Sequence, residues 1–286
     1  MKFDRVAELE VRIVNEAFQQ ISTIGIKNLR ISFNIKKTLS SSTNTANIQV
    51  YNLKKEKRAQ INDYGDQVVL KAGYIEESGA NLLFIGDTTT VSHLYEQPEI
   101  ISSLTCGDCE RILNQALINI SYGTDSSVKE ILQGISNAMG FEGQLNLSQF
   151  NDIIYKQGFV HDGMGKTALD IVTNFLGATW SVQNNQLTIV PKNGSTSKPP
   201  IVISQNTGMI GVPQRYTNKR RDLFRVAPKQ GYKVRTLLDP QIIPGNKVRL
   251  ISDQINVDEV LFINSVNHVG DTYGDAWYSN LELIRI

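Results

Sequence analysis

The strongest constraint on this chain is a pattern that it spells twice. Near the amino end, "GDQVVL" (65–70) precedes "LFI" (83–85) and then "SSL" (102–104). Near the carboxyl end, "GNKVRL" (245–250) precedes "LFI" (261–263) and then "SNL" (279–281). The order is kept, and the spacings drift by one or two positions: 18 and 19 residues in the first copy, 16 and 18 in the second. In each copy a glycine opens a segment whose alternate residues are apolar, the period of a strand with one buried face. A turn glycine followed by Val-x-Leu also describes unrelated hairpins, so convergence is the competing reading. The pattern taken whole implies one β module used twice.

The rest of the first hundred residues keeps the period of two. "KNLRISFNIKK" puts Leu29, Ile31, Phe33 and Ile35 on one face, and "TANIQVYNL" does so with Ala46, Ile48 and Val50. Both read as half-buried strands separated by a polar loop at 39–44. Residues 54–63, "KKEKRAQIND", predict an exposed helix ending before Gly65. "DQVVLKAGY", "LLFIGDTTTV" and "EIISSLTC" add three strands. Residues 1–110 are therefore expected to form an antiparallel sheet closed, or nearly closed, on itself. Residues 196–286 are strand-rich again and form the second module.

Between the modules the period changes to that of a helix. Val128, Ile131, Leu132, Ile135 and Met139 share one face, with Ser126 or Ser127 as N-cap. Ala168, Ile171, Val172 and Phe175 share another, with Asp162, or Gly163 together with Asp162, capping a helix that starts near Met164 and Gly177 as the stop. "TWSVQNNQLTIV" reads as a hairpin turning at Asn184-Asn185. The expected fold is mainly β with an α+β insertion over 111–195. "PKNGSTSKPP" (191–200) has the composition of a linker.

Motifs that carry chemistry are weak. "HDGMGKTALDI" contains Gly165-Lys166-Thr167, which invites a nucleotide-hydrolase reading. A phosphate loop needs its first glycine at position 160, which is Val160, and a buried strand leading in, which "YKQGFVHDG" is not. Cys106 and Cys109 have C-x-x-C spacing, but His93, His161 and His268 form no spaced pair to complete a zinc site. A redox pair is the residual reading there, against two small buried residues at a strand end. No nucleophile elbow, metalloprotease helix or prominent carboxylate pair occurs. The expectation is no enzyme and no cofactor. No run of apolar residues is long enough for a membrane helix, and the first residues lack a secretion signal.

One charge cluster stands out. Residues 215–235 hold eight basic residues against Asp222, a net of +7 in a chain whose total is +1. Arg220, Arg221 and Arg225 are candidate contacts for an acidic partner or DNA. The competing reading is a solvated loop and edge strand protected by charge from aggregation. A DNA- or carbohydrate-binding β-protein is thus a further alternative.

Several runs resemble the baseplate hub proteins of contractile-tailed phages, the late control protein family and the hubs of contractile injection systems. They are "ISFNIKKTLSSSTNTANIQVYNL" (31–53), "LLFIGDTTTVSH" (82–93), "TGMIGVPQ" (207–214), "VRTLLDPQIIPGNKVRL" (234–250) and "VNHVGDTYGDAWYSNLEL" (266–283). The residues carrying the likeness are Tyr51, Asn52, Gly86, Asp87, Pro240, Pro244, Gly245, Gly270, Asp271, Tyr273, Gly274 and Trp277. The likeness is weakest over 110–160, and the cysteine pair and the basic stretch depart from it. The resemblance implies two tube-like β modules, barrels or sandwiches, in a structural protein. It implies a homotrimer that adapts a hexameric tail tube to a trimeric spike and touches other baseplate proteins, with DNA only as passing cargo. It also implies location in the virion tail baseplate, after assembly in the bacterial host cytoplasm. A module used twice lets three subunits offer six near-equivalent surfaces, which resolves a three-on-six symmetry mismatch.

Overall fold

A computed structural model of the chain describes residues 4–17, 19–77, 79–141, 143–150, 152–192, 194–196, 198–218 and 229–285. In chain order the first part contains β1 (Arg5–Val14), β2 (Gln20–Ile26), β3 (Ile31–Thr38), β4 (Thr45–Tyr51), α1 (Lys55–Arg58), β5 (Gln67–Tyr74), β6 (Gly79–Glu96) and β7 (Glu99–Gly107). The middle contains α2 (Glu110–Gln115), β8 (Leu117–Tyr122), β9 (Ser126–Ser127), α3 (Val128–Met139), β10 (Ile154–Tyr155), β11 (Phe159–Met164), α4 (Gly165–Phe175), β12 (Ala178–Gln183) and β13 (Gln186–Pro191). The last part contains β14 (Ile201–Ile203), β15 (Met209–Asn218), β16 (Lys229–Leu237), β17 (Lys247–Ser252), β18 (Val257–Asp271) and β19 (Trp277–Arg285). The protein is mainly β, with its helices confined mostly to the middle.

One sheet runs through both ends of the chain, in the order β15-β16-β19-β18-β3-β4-β7-β6-β5-β1-β2, with β17 beside β18 and β14 beside β17. Within it the order β3-β4-β7-β6-β5 is matched by β15-β16-β19-β18-β17. The correspondence extends to single bonds. Gly65 N–H donates to Thr88 O and Thr88 N–H to Asp66 O; Gly245 N–H donates to Ile263 O and Ile263 N–H to Asn246 O. Both glycines have positive φ, +92° and +88°, which a side chain would strain. Each long strand bulges at the same point, between Thr88 and Thr90 and between Ile263 and Ser265. Beyond the bulges, His93 pairs with Ser102 and Val91 with Leu104, as His268 pairs with Ser279 and Val266 with Leu281.

This register corrects part of the sequence alignment. Ser102–Leu104 and Ser279–Leu281 are true counterparts, but the two Leu-Phe-Ile runs are not. Val68 pairs with Gly86, whereas its counterpart Val248 pairs with Leu261, so the runs are offset by three residues. The bulge fixes the register, and "VSHL" and "VNHV" after it are the matching signal.

The bulges also explain how each unit closes. The strand halves before them lie across the apolar face of the halves after them. The first core accordingly joins Leu9, Val11, Leu70 and Phe84 to Ile31, Phe33, Ile48 and Leu104. The last joins Val248, Leu250 and Leu261 to Val234, Val266 and Leu281. A third core, from Cys109 to Ile189, belongs to the middle segment alone.

Local readings needed other corrections. The helix expected over 54–63 is four residues long, with no buried residue to hold it longer. Helix α4 starts at Gly165 with Met164 as its N-cap, and Asp162 and Gly163 lie within β11 rather than capping the helix. Its buried stripe is Ala168, Leu169, Val172 and Thr173, so Ile171 and Phe175 face solvent. Helix α3 buries the five predicted residues, although Ser127 at its N-cap makes no side-chain cap bond. The Asn184-Asn185 turn forms as expected, both residues with positive φ.

His268 illustrates what the duplicated core does to a polar residue. It is fully buried and shares a 2.8 Å hydrogen bond with Ser279. Burial, assisted by the nearby Lys37 charge, pulls its pKa down to about 3. The unfolded chain takes up a proton below about pH 6.5 that the folded chain refuses, so stability is lost as pH falls from there towards 3. The expected loss is about 1.4 kcal/mol per pH unit in that window. Thermal melts between pH 7 and pH 4 should show it, and His268→Gln should flatten the decline.

Candidate assembly surface

The half of β18 beyond its bulge is paired on both sides, with β19 on one and β3 on the other. Ser265 lies opposite Thr38, His268 opposite Ile35 and Asp271 opposite Ser32. This antiparallel ladder is the seam between the two units. The counterpart of β18 is β6, whose half beyond the bulge pairs, among the described residues, only with β7. The counterpart of β3 is β15, which among the described residues pairs only with β16 and ends the sheet. The chain thus makes one such seam internally and leaves one half of a second seam at each end. Apolar residues are exposed on both open strands: Leu94 and Tyr95 on β6, Ile210 and Val212 on β15. Unpaired strand edges with apolar side chains invite pairing with another chain.

The face turned away from the cores is polar. Ser32, Asn34 and Lys36 alternate with buried Ile31, Phe33 and Ile35. The other unit presents Lys233, Arg235, Asn280 and Glu282, with Arg235 bonded to Asn280 (2.8 Å) and Lys233 near Glu282 (3.4 Å). Alternation along eight neighbouring strands therefore yields one greasy side that packs and one hydrophilic side that stays wet.

The signature residues fall in three places. Tyr51, Asn52, Asp271, Tyr273, Gly274 and Trp277 gather at one end of the sheet. The Arg30 guanidinium lies over the Tyr51 ring at 4.3 Å and bonds Asp271 at 2.9 Å. That pairing offsets the burial of Asp271 and leaves its pKa below the usual range. Asn52, with positive φ, donates its N–H to Ile100 O and accepts Ile100 N–H through Oδ1. Trp277 is buried against Phe33 and Tyr74, and Arg5 bonds Gly274 O. Gly270 leaves room for the Phe33 ring, which any Cβ would strike. Pro240, Pro244 and Gly245 form the corner from β16 to β17. Gly86 and buried Asp87 lie at the opposite end, where Asp87 accepts the Arg111 N–H and burial raises its pKa. Arg220, Arg221 and Arg225 lie outside the described residues.

The chemical candidates are absorbed by structure. Gly165 donates its N–H to Ala116 O, and a Cβ there would strike Met139, so this glycine serves the packing of α4 on α3. Cys106 and Cys109 are buried free thiols. Burial raises the pKa of both, that of Cys106 to about 12, the opposite of what a redox thiolate needs. Among the described residues no group of three or more His, Cys, Asp or Glu is placed to hold a metal ion.

A feature that sequence reasoning missed joins the middle segment to the first unit. Lys37 is buried and donates to Leu83 O and Asn184 Oδ1, both at 2.6 Å. Asp108, also buried, accepts the N–H groups of Asn184 (2.8 Å) and Asn185 (3.0 Å) and the amide of Asn44 (3.3 Å). Desolvation lowers Lys37 to about 8 and raises Asp108, and each charge partly offsets the other's burial. The β12–β13 turn is thereby pinned by polar bonds between two separate apolar cores. The only sequence signal was a lysine inside an otherwise apolar strand face.

Solved structures that share this fold include phage tail proteins. A tail protein from Neisseria meningitidis MC58 matches with a TM-score of 0.63 at 10% identity, covering 99% of this chain and 97% of that one. The 43 kDa tail protein of prophage MuSo2 from Shewanella oneidensis matches at 0.64 with 11% identity, covering 98% of each chain. A type VI secretion system component from E. coli, itself described as similar to the T4 tail proteins gp27 and gp5, matches at 0.57 with 11% identity, covering 90% and 73%. No curated protein matches the sequence. Residues 11–258 match the baseplate hub gp41 family, and the chain belongs to that family. It is a structural protein of the phage tail baseplate.

Proposed function

We propose that the chain is a non-enzymatic hub that closes with two further copies into a ring, joining a sixfold tail tube to a threefold spike. One observation carries this reading: the internal β18–β3 seam has an unfilled counterpart, with β6 open at one end of the chain and β15 at the other. If the second seam copies the first, β6 of one copy pairs with β15 of the next. The copied register sets Ser92 opposite Tyr216 and His93 opposite Arg215. Such a contact joins different surfaces of the two copies, and it closes into a ring when the rotation per unit is right. Three copies then give six near-equivalent units, with the polar face lining the passage through which DNA travels.

In this reading residues 1–110 and 196–286 are the ring-forming units, and residues 111–195 are an appendage present once per subunit. Symmetry assigns the partners. The turns at Gln97-Pro98 and at 272–276 occupy equivalent positions, so a trimer presents six of them, as a sixfold tube requires. The middle segment leaves the sheet at its other end, in three copies, which suits a threefold spike. The Tyr51–Arg30–Asp271 cluster shapes the first end, and Arg220, Arg221 and Arg225 supply a contact for an acidic baseplate partner. The complexes of VgrG with PdpA from Francisella, whose structures resemble this chain at 8% identity, fit a spike-associated role. Assembly takes place in the host cytoplasm, without cofactor or membrane insertion.

Sedimentation velocity and end-on electron microscopy of the purified chain test the proposal. The expected result is a trimer seen as a three-lobed annulus with a sixfold outline. A monomer at all concentrations, alone and with its spike, overturns it.

A further inference from the structure

The internal seam shows what becomes of a histidine when such a seam is filled. His268 stands opposite Ile35 of β3 and is wholly buried. His93 is its counterpart and makes the corresponding bond, at 3.1 Å to Ser102, but it lies on the open strand and is exposed. The groups facing it in its own chain are Ser102 of β7 and, from the segment around α1, Arg58 and Asp63. Copying the seam adds β15 of the neighbouring chain, with Arg215 directly across and Thr217 in the place that Lys37 occupies at the internal seam. Arg215 has Glu259 nearby, but that carboxylate already binds Arg285 through two hydrogen bonds of 2.8 Å. No free acid is therefore offered to His93 from the facing strand.

We infer that His93 is the closing residue of the ring: it is buried against Arg215 of the next copy and enters that position only when neutral, so that assembly releases a proton below neutral pH. The inference rests on the ring reading above. A neutral imidazole bonded to Ser102 is an acceptable buried group, as His268 with Ser279 demonstrates. An imidazolium there suffers desolvation and repulsion from a guanidinium together. In the separated chain the exposed ring takes up a proton in acid, held somewhat below the ordinary histidine range by partial burial and by Arg58. The separated state therefore binds a proton that the ring refuses. Association weakens as pH falls, by up to about tenfold per interface per pH unit.

The test is sedimentation velocity on the full chain at pH 7.5 and pH 5.0, with near-UV circular dichroism at each pH to establish that the chain is folded. The wild type is expected to be trimeric at pH 7.5 and to dissociate at about tenfold higher concentration, or more, at pH 5.0. His93→Gln should stay trimeric with little change between the two. Arg215→Gln, on the opposite strand, should show a smaller loss than wild type, because the buried ring then tolerates a proton better. A wild-type trimer of equal affinity at both pH values, or an acid loss that His93→Gln leaves undiminished, overturns the inference while the ring reading stands. A chain that is monomeric at pH 7.5 refutes the ring reading itself and this inference with it.

Discussion

A chain carrying both Ser92→Cys and Tyr216→Cys is expected to run as a covalent trimer under denaturing, non-reducing conditions after mild oxidation. The copied seam places these residues directly opposite one another on adjacent copies. Directly opposite residues of an antiparallel pair have Cα atoms about 4.5–5.5 Å apart, within the range that a disulfide bridges. The native thiols do not compete, because both are buried with pKa values raised well above the usual range. The control is a one-residue shift, Ser92→Cys with Arg215→Cys. A shift of one residue points the two side chains to opposite faces of the sheet, so that variant should yield little trimer. Equal cross-linking in both variants, or none in either, contradicts the proposed register.

Lys37→Met is expected to destabilise the chain by about 3–5 kcal/mol, the usual cost of removing one partner from a buried charged pair. Methionine keeps much of the stem's bulk, so the loss is chiefly electrostatic. Leu83 O and Asn184 Oδ1 lose their donor, and Asp108 is left buried without its compensating cation. Urea denaturation reads the change as a shift in midpoint. Asp108→Asn removes the opposite charge and should also destabilise, but the double variant should lose less than the two single losses combined. Full additivity would mean that the two charges do not sense each other.

The alternation of apolar and polar residues was enough to read most strands, because a sheet with one buried face writes its period directly into the sequence. The same holds for α3, whose five predicted core residues are all buried. In helix α4 two of the four predicted core residues, Ile171 and Phe175, are exposed, and Leu169 and Thr173 are buried instead. The repeat was legible at Gly65 and Gly245, where backbone geometry demands glycine, and at the Ser-x-Leu runs. It was misaligned at Leu-Phe-Ile because the connection between the opening glycine and the bulge is longer in the first copy, so a similar run recurs out of register.

The sequence by itself determined the β class, the helical middle and the existence of a doubled module, since each depends on local periodicity and turn chemistry. Tertiary structure alone decided which edges are filled and which are left open. Pairing between β18 and β3 joins residues more than two hundred positions apart, and no local pattern records it. The same is true of the Lys37–Asp108 latch and of the difference between His93 and His268. A histidine in a strand looks the same in sequence whether its neighbour is water or another strand, and only the fold supplies that neighbour.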